Sequence, residues 1–420
     1  MSWEPVPGHD VHYHLLNYDE NGVERNDDSR AALAQAEAER PTDVIILSHG
    51  WNGDVPAAQA QYGAWLATMA SCTAERERAR GLPGGFRPLS IGLHWPSKSW
   101  GDEEIASASF DAGPGIGADA LASRMAARIG DAAEVHAAVQ TIVNSALEDP
   151  EPETLPSDVV TAYQVIDRFD DDSSAEGDRD PFDAELLYQG CRLEDDPVSF
   201  GGLSLGGLLA PLRVLTFWKM KKRALTFGES GAAAFVRAVQ QRAPDARIHL
   251  VGHSFGCIVA SAATAGASRP VASLSLIQGA MSLWSLCSAI PARPNLPGHF
   301  RPVVTNGKVD GPIVVSMSVH DRAVGTFYPL GARSGRQLCF DPDEKVPRYG
   351  GIGVHGLHGP DVDIVHHDDV RQVETLAPRQ VHNVDARSVV ATGNGIAGAH
   401  NDICHPELGR LVWRAITSGR

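Results

Sequence analysis

The 420-residue chain is 43% hydrophobic and 21% charged, the composition of a soluble globular protein able to bury a large core. Its formal charge of −16 argues against a nucleic-acid partner, because a phosphate backbone would be repelled. Between Glu151 and Asp196, fifteen Asp and Glu against three Arg supply twelve of those sixteen charges, so the excess belongs to one segment that reads as a solvated loop.

Short apolar runs rich in β-branched residues, each ending at a turn signal, predict strands in chain order. They are Val11–Tyr18, Val44–Ser48, Leu89–Trp95, Ile248–Gly252, Ser273–Gln278, Ile313–Ser318 and, more weakly, Ser388–Thr392. Helical patterns lie between most of them, at Ser29–Arg40, Pro56–Ser71 and Gly231–Arg242, the last stopped by Pro244. Strand alternating with helix implies an α/β fold with a mostly parallel central sheet covered by helices. From about Trp100 to Phe227 no strand is predicted. An Ala-rich helical stretch (Gly117–Leu147), the acidic segment, an apolar run (Gly202–Trp218) and a basic helical piece (Trp218–Arg223) fill this interval. Residues 100–227 are therefore expected to be a large helical insertion in a core made of 1–99 and 228–420. The insertion would either cap the C-terminal edge of the sheet or serve as a packing appendage, with Leu203, Leu208, Leu209, Leu212 and Leu215 as anchors.

The six cysteines (Cys72, Cys191, Cys257, Cys287, Cys339, Cys404) are scattered and contain no CxxC pair, which fits reduced thiols. Met1-Ser2-Trp3-Glu4-Pro5 offers neither the basic region nor the apolar stretch of a signal peptide, so a cytoplasmic location is expected. The Gly202–Trp218 run is broken by Pro211 and Arg213 and is too short to span a bilayer, so no transmembrane segment is expected.

The most informative stretch is Arg247 to Ala260, in which a buried strand runs into Gly252-His253-Ser254-Phe255-Gly256 and then a helix of small residues. A serine on such a tight turn has its hydroxyl exposed above the sheet, and glycines at both ends let strand and helix approach without a Cβ clash. A helix beginning behind the serine aims free amides at a developing oxyanion. Gly202-Leu203-Ser204-Leu205-Gly206 also matches GxSxG, but no strand precedes it and it is rejected.

The Ser254 stretch resembles the nucleophile elbow of the α/β-hydrolase superfamily. Val44 to Gly53 likewise resembles the strand ending in His-Gly (His49-Gly50) that precedes the oxyanion loop of lipases and esterases. The resemblance implies Ser254 as nucleophile and the backbone N–H groups of Trp51 and Phe255 as the oxyanion hole. In the family's order of Ser, acid, His, it also places the carboxylate at Asp321, after the Ile313–Ser318 strand. Asp310, at the wrong end of that strand, is the weaker choice. Near the C-terminus, Gly398-Ala399-His400-Asn401-Asp402 resembles the family's Gly-x-His-x-Asp pattern and gives His400 as the base, with His405 beside Pro406 as the rival. His253 reads as a residue packed beside the site. Two departures from the family stand out: a helix separates the first two strands, and the insertion precedes the helix before the elbow strand.

Gly351–Gly356 and Gly393–Gly398 both fit GxGxxG, but neither sits in a strand–turn–helix unit that could bind a dinucleotide. His355, His358, His366 and His367 crowd one segment without the spacing of a metal site. Neither cofactor nor metal is expected. The reading is a serine hydrolase that cleaves a small-molecule carboxylic ester through an acyl-enzyme. The alternatives are the same machinery acting on an amide, thioester or peptide, and a non-catalytic hydrolase-like binding module. Aspartate-nucleophile chemistry is disfavoured by serine at the elbow, and oligomeric state is not legible.

Overall fold

The computed structural model describes residues 3–51, 54–97, 118–129, 132–169, 182–192, 199–200, 203–204, 207–328, 346–393 and 397–418. Asn52 and Gly53 lie outside the described residues, as do 170–181 and 193–198 of the acidic segment. So do Gly202, Leu205 and Gly206 of the rejected serine motif, and Asn394–Ile396 of the glycine-rich loop. The chain forms two compact units, one made of Met1–Ser97, Lys221–Gly325 and Gly350–Arg420, the other of Lys98–Met220 and Thr326–Tyr349.

In the first unit the described residues form a nine-stranded sheet. Its strands are β1 (Trp3–Pro5), β2 (His12–Asn17), β3 (Asp43–Ser48), β4 (Pro88–His94), β5 (Arg247–His253), β6 (Ser273–Ile277), β7 (Ile313–Met317), β8 (Ile364–His367) and β9 (Val381–Asp385). Their spatial order is β1-β2-β4-β3-β5-β6-β7-β9-β8, with β1 antiparallel to β2 and every other pairing parallel. The fold is α/β.

β3 and β6 are buried along their whole length, which is why their sequences lack the polar alternation of a half-solvated strand. Among the helices are α1 (Asp28–Glu39), α2 (Val55–Ser71), α3 (Ala233–Arg242), α4 (Gly256–Ala265) and α5 (Pro406–Thr417). Asp54 caps α2 by accepting from the Ala57 N–H at 2.9 Å, and Pro56 occupies the first turn, where its missing N–H costs nothing. Tyr62, Trp65 and Met69 of α2 pack with Leu411, Trp413 and Ile416 of α5, over Ile45, Leu47, Val251 and Val314 of the sheet. Val44 and Ile46, pointing the other way, are buried as well.

Register decides where the turns emerge. Ser48 pairs with Gly252, His253 with Ile277, and Ile277 with Ser316. The chain leaving β3, β5, β6 and β7 therefore gathers at one C-terminal edge, the edge at which parallel α/β sheets hold ligands.

Two expectations need correction. Ser388–Thr392 is not a strand but a turn, and the strand of this region is β9 at Val381–Asp385. The interval from Trp100 to Phe227 also contains a short antiparallel hairpin, Ser199–Phe200 with Leu203–Ser204, where no strand was predicted.

The second unit contains the helices Ala118–Ile129, Ala133–Glu148, Ser157–Phe169 and Ala184–Arg192. It has its own core, in which Val139, Ile142, Tyr163 and Tyr188 pack with Leu208, Leu212 and Leu215 of the apolar run. The buried Tyr163 hydroxyl donates to Leu208 O at 2.7 Å, so its polar tip is satisfied within that core. Among the described residues, no helix is long and apolar enough to cross a membrane.

Candidate active site

Ser254 follows β5 directly and has φ +55, in the left-handed region that a side chain enters only under constraint. The constraint is close packing on both sides. A Cβ on Gly252 would lie 2.3 Å from Gly256 O, and one on Gly256 would lie 2.2 Å from Ser48 O. Only glycine at both positions lets strand, turn and helix pack this closely. The turn is then tied down by hydrogen bonds from Ser254 N–H to Ile277 O (3.2 Å) and from Ala280 N–H to Ser254 O (3.1 Å).

The end of β3 comes alongside. A Cβ on Gly50 would lie 2.6 Å from Ser254 Cβ and 3.1 Å from its Oγ, so the backbone entering Trp51 runs against the serine. The Trp51 and Phe255 rings are 6.0 Å apart. A buried polar network fixes this strand end. His49 Nδ1 donates to Gly50 O (2.8 Å), its Nε2 accepts from His94 Nδ1 (2.9 Å), and its backbone N–H donates to the Tyr62 hydroxyl (2.9 Å). The Trp95 indole N–H donates to His49 O at 3.2 Å, and the two rings stack at 5.7 Å. Burial, reinforced by the neighbouring His94, pushes His49 down to about 3, so it is neutral at physiological pH.

The loops that carry Asp321 and His400 meet edge to edge. Asp321 forms an isolated antiparallel bridge with Gly398, and Ala399 N–H donates to His320 O at 2.8 Å. Gly398 has φ +54, and a Cβ there would meet His320 O at 2.5 Å, so this approach requires glycine. The pairing brings His400 Nδ1 to 2.8 Å from Asp321 Oδ2, with both residues buried. Because the Nδ1–H donates to the carboxylate, Nε2 is left as the basic nitrogen. Asp321 Oδ1 accepts from the Val324 N–H at 3.0 Å.

His253, between Gly252 and Ser254, joins His400 to the Ser254 turn. Its Nε2 donates to His400 O at 3.0 Å, its Nδ1 accepts from the Gln61 amide at 2.9 Å, and its ring lies 4.8 Å from that of His400. Burial, with His400 beside it, pushes His253 down to about 3. It is a neutral strut rather than a second base.

A family profile described as alpha/beta hydrolase matches residues 214–280, a span that holds β5, the Ser254 turn, α4 and β6. The match places this stretch of the chain in the α/β-hydrolase superfamily. Neither the curated proteins nor the solved structures give a match.

Other residues singled out in the sequence lie elsewhere. His405 bonds Asp402 (2.7 Å) at the start of α5, and Asp402 in turn accepts from the Thr392 and Ala391 N–H groups, so this pair braces the loop that carries His400. Asp310 is exposed and bonds Arg379 at 2.9 Å. His358 bonds His355 O, and His367 bonds His382. A second Ser–His–Asp chain exists at the opposite edge of the sheet. Ser273 Oγ lies 2.8 Å from His249 Nδ1, and His249 Nε2 lies 3.0 Å from Asp43 Oδ1, with Arg247 also on Asp43. All three are fully buried at the N-terminal ends of β3, β5 and β6, where they tie strands together beyond the reach of a substrate. Sequence reasoning missed Gln61, Tyr62, His94 and Gln278. Of these, His94 and Gln278 carried a signal, since each is polar at the C-terminal end of a predicted strand.

Proposed function

We propose that this protein is a serine hydrolase that cleaves a small-molecule carboxylic ester through an acyl-enzyme, with Ser254, His400 and Asp321 as its triad. The observation that carries the reading is the 2.8 Å His400–Asp321 pair, held through His253 one residue from a serine at φ +55.

Ser254 Oγ attacks the ester carbonyl while His400 Nε2 takes its proton. Asp321 holds the Nδ1 tautomer and stabilises the imidazolium. The former carbonyl oxygen becomes an oxyanion facing the backbone N–H groups of Trp51 and Phe255, a role supported by the contact of Gly50 with Ser254. Collapse of the tetrahedral intermediate breaks the C–O bond, and His400 returns the proton to the departing alcohol. Water, deprotonated by His400, then attacks the acyl group and releases the acid and free Ser254.

Ser254→Ala is expected to abolish both turnover of p-nitrophenyl esters and labelling by a fluorophosphonate, with the thermal midpoint kept. Retained labelling would exclude Ser254 as nucleophile. Matched ester, thioester and amide substrates then rank the leaving groups, and faster turnover of the amide would overturn the ester assignment.

A further inference from the structure

Beside Ser254, the site holds a second non-glycine residue in the left-handed region. β6 ends at Ile277, and Gln278, next in the chain and fully buried, has φ +44. Its backbone N–H donates to Ser316 Oγ (3.1 Å) on β7, the strand that leads to the acid. Its side-chain amide faces two acceptors, Gly353 O and Asp321 Oδ2. The amide nitrogen is therefore the atom turned toward them, at 2.7 and 3.2 Å. Gly353 leaves the space for this: a Cβ there would sit 2.8 Å from the Gln278 carbonyl carbon and 3.1 Å from Asp321 Oδ2.

The donors to Asp321 are thus three. The Val324 N–H takes Oδ1, while the His400 imidazole and the Gln278 amide share Oδ2. A carboxylate removed from water needs such donors to remain charged, and an oxygen held from two sides cannot rotate away from its imidazole.

We propose that Gln278 is a positioning residue for the acid, its amide fixing Asp321 Oδ2 against His400. The proposal rests on the triad reading above. The donor also draws electron density from the oxygen that faces the imidazolium, so its removal is read in the pH profile of the reaction as well as in its rate. A residue that merely fastened β6 to the Gly353 loop would change stability and nothing else.

The test uses the full chain and the fluorophosphonate reaction of Ser254, which needs no knowledge of the natural substrate. Gln278→Met keeps length and removes the donor. It is expected to lower the maximal labelling rate about 10- to 100-fold, the worth of one hydrogen bond to a charged group, while half-saturation stays put. The acid limb of the pH profile moves to higher pH, because the vacated lone pair turns to the imidazolium. Gln278→Glu serves as the second variant. It labels while its carboxyl shares a proton with Asp321, and it acquires a descending limb, absent from the parent, as the second carboxyl ionises. Parental rate and profile in Gln278→Met, or a parental profile in Gln278→Glu, overturns the proposal. Parental labelling by Asp321→Asn instead overturns the triad reading, so the two failures are distinguishable.

Discussion

Asp310 and Asp321 flank the same strand in opposite surroundings. Asp310 is exposed and meets Arg379, an ion pair worth about 0–1 kcal/mol in water. Asp321 is buried and holds the imidazole at 2.8 Å. Asp321→Asn would present an amide to His400 and favour the wrong tautomer, so kcat on an activated ester is expected to fall by about four orders of magnitude, as in the serine-protease precedent. Asp310→Asn should leave kcat unchanged, and the reverse ranking would rule out Asp321 as the acid. The three residues of the proposed triad, Ser254, Asp321 and His400, stand out in the sequence because each follows a recognisable strand or glycine-rich turn. Gln61, which orients His253, does not, because its contact joins distant parts of the chain. Gln61 reaches His253 across 192 positions, and nothing local to either residue marks the pair.

At the level of elements, β3, β5 and α4 meet at a tight junction. Gly256→Ala would press a Cβ to 2.2 Å from Ser48 O, a backbone atom that cannot rotate aside. Helix and strand must part, at a cost of about 1–3 kcal/mol for overpacking, and the Phe255 amide shifts with them. The expected outcome is a lower unfolding midpoint together with slower labelling of Ser254. An unchanged midpoint would mean that the junction is looser than its geometry. Strand legibility follows the same packing. β3 and β5 stood out as buried β-branched runs, whereas β8 and β9 did not. Their sequences, Ile-Val-His-His and Val-His-Asn-Val-Asp, read as loop because polar residues interrupt both, and in β9 those polar residues are buried. Asn383 makes this possible by exchanging hydrogen bonds of 2.9 and 2.8 Å with Leu357, and His382 by bonding His367 and Ala377 O. Such pairings exist only after folding, so in the sequence alone the weak Ser388–Thr392 run reads as the strand of this region. The second unit was partly legible, since its Ala-rich stretch does form the helices Ala118–Ile129 and Ala133–Glu148.

Across the whole molecule, buried neutral histidines make stability depend on pH in a defined window. Burial pushes His49 and His253 down to about 3 and His355 to about 4, and it also lowers His14, His358, His367 and His382. In the unfolded chain each of these binds a proton near its ordinary value of about 6.5. Between that value and the folded one the unfolded state carries more protons, so stability rises with pH there and is lost on acidification, by at most about 1.4 kcal/mol per pH unit for each group. The carboxylates of Asp361, Asp369 and Asp402 are held low and lose their contribution only at more acidic pH, in a separate window. The net charge of −16 works the other way, since protonation relieves self-repulsion. Exposed charges are screened beyond about 8 Å at physiological salt, however, which limits that relief. The urea midpoint is therefore expected to hold steady from about pH 8 to 7 and to fall steeply below about pH 6. His253→Gln, which keeps a donor for His400 O and cannot take a proton, should make that fall shallower by up to about 1.4 kcal/mol per pH unit. Parent and variant falling in parallel would show that His253 is not held neutral by burial, and with that its role as a neutral strut for His400 would go.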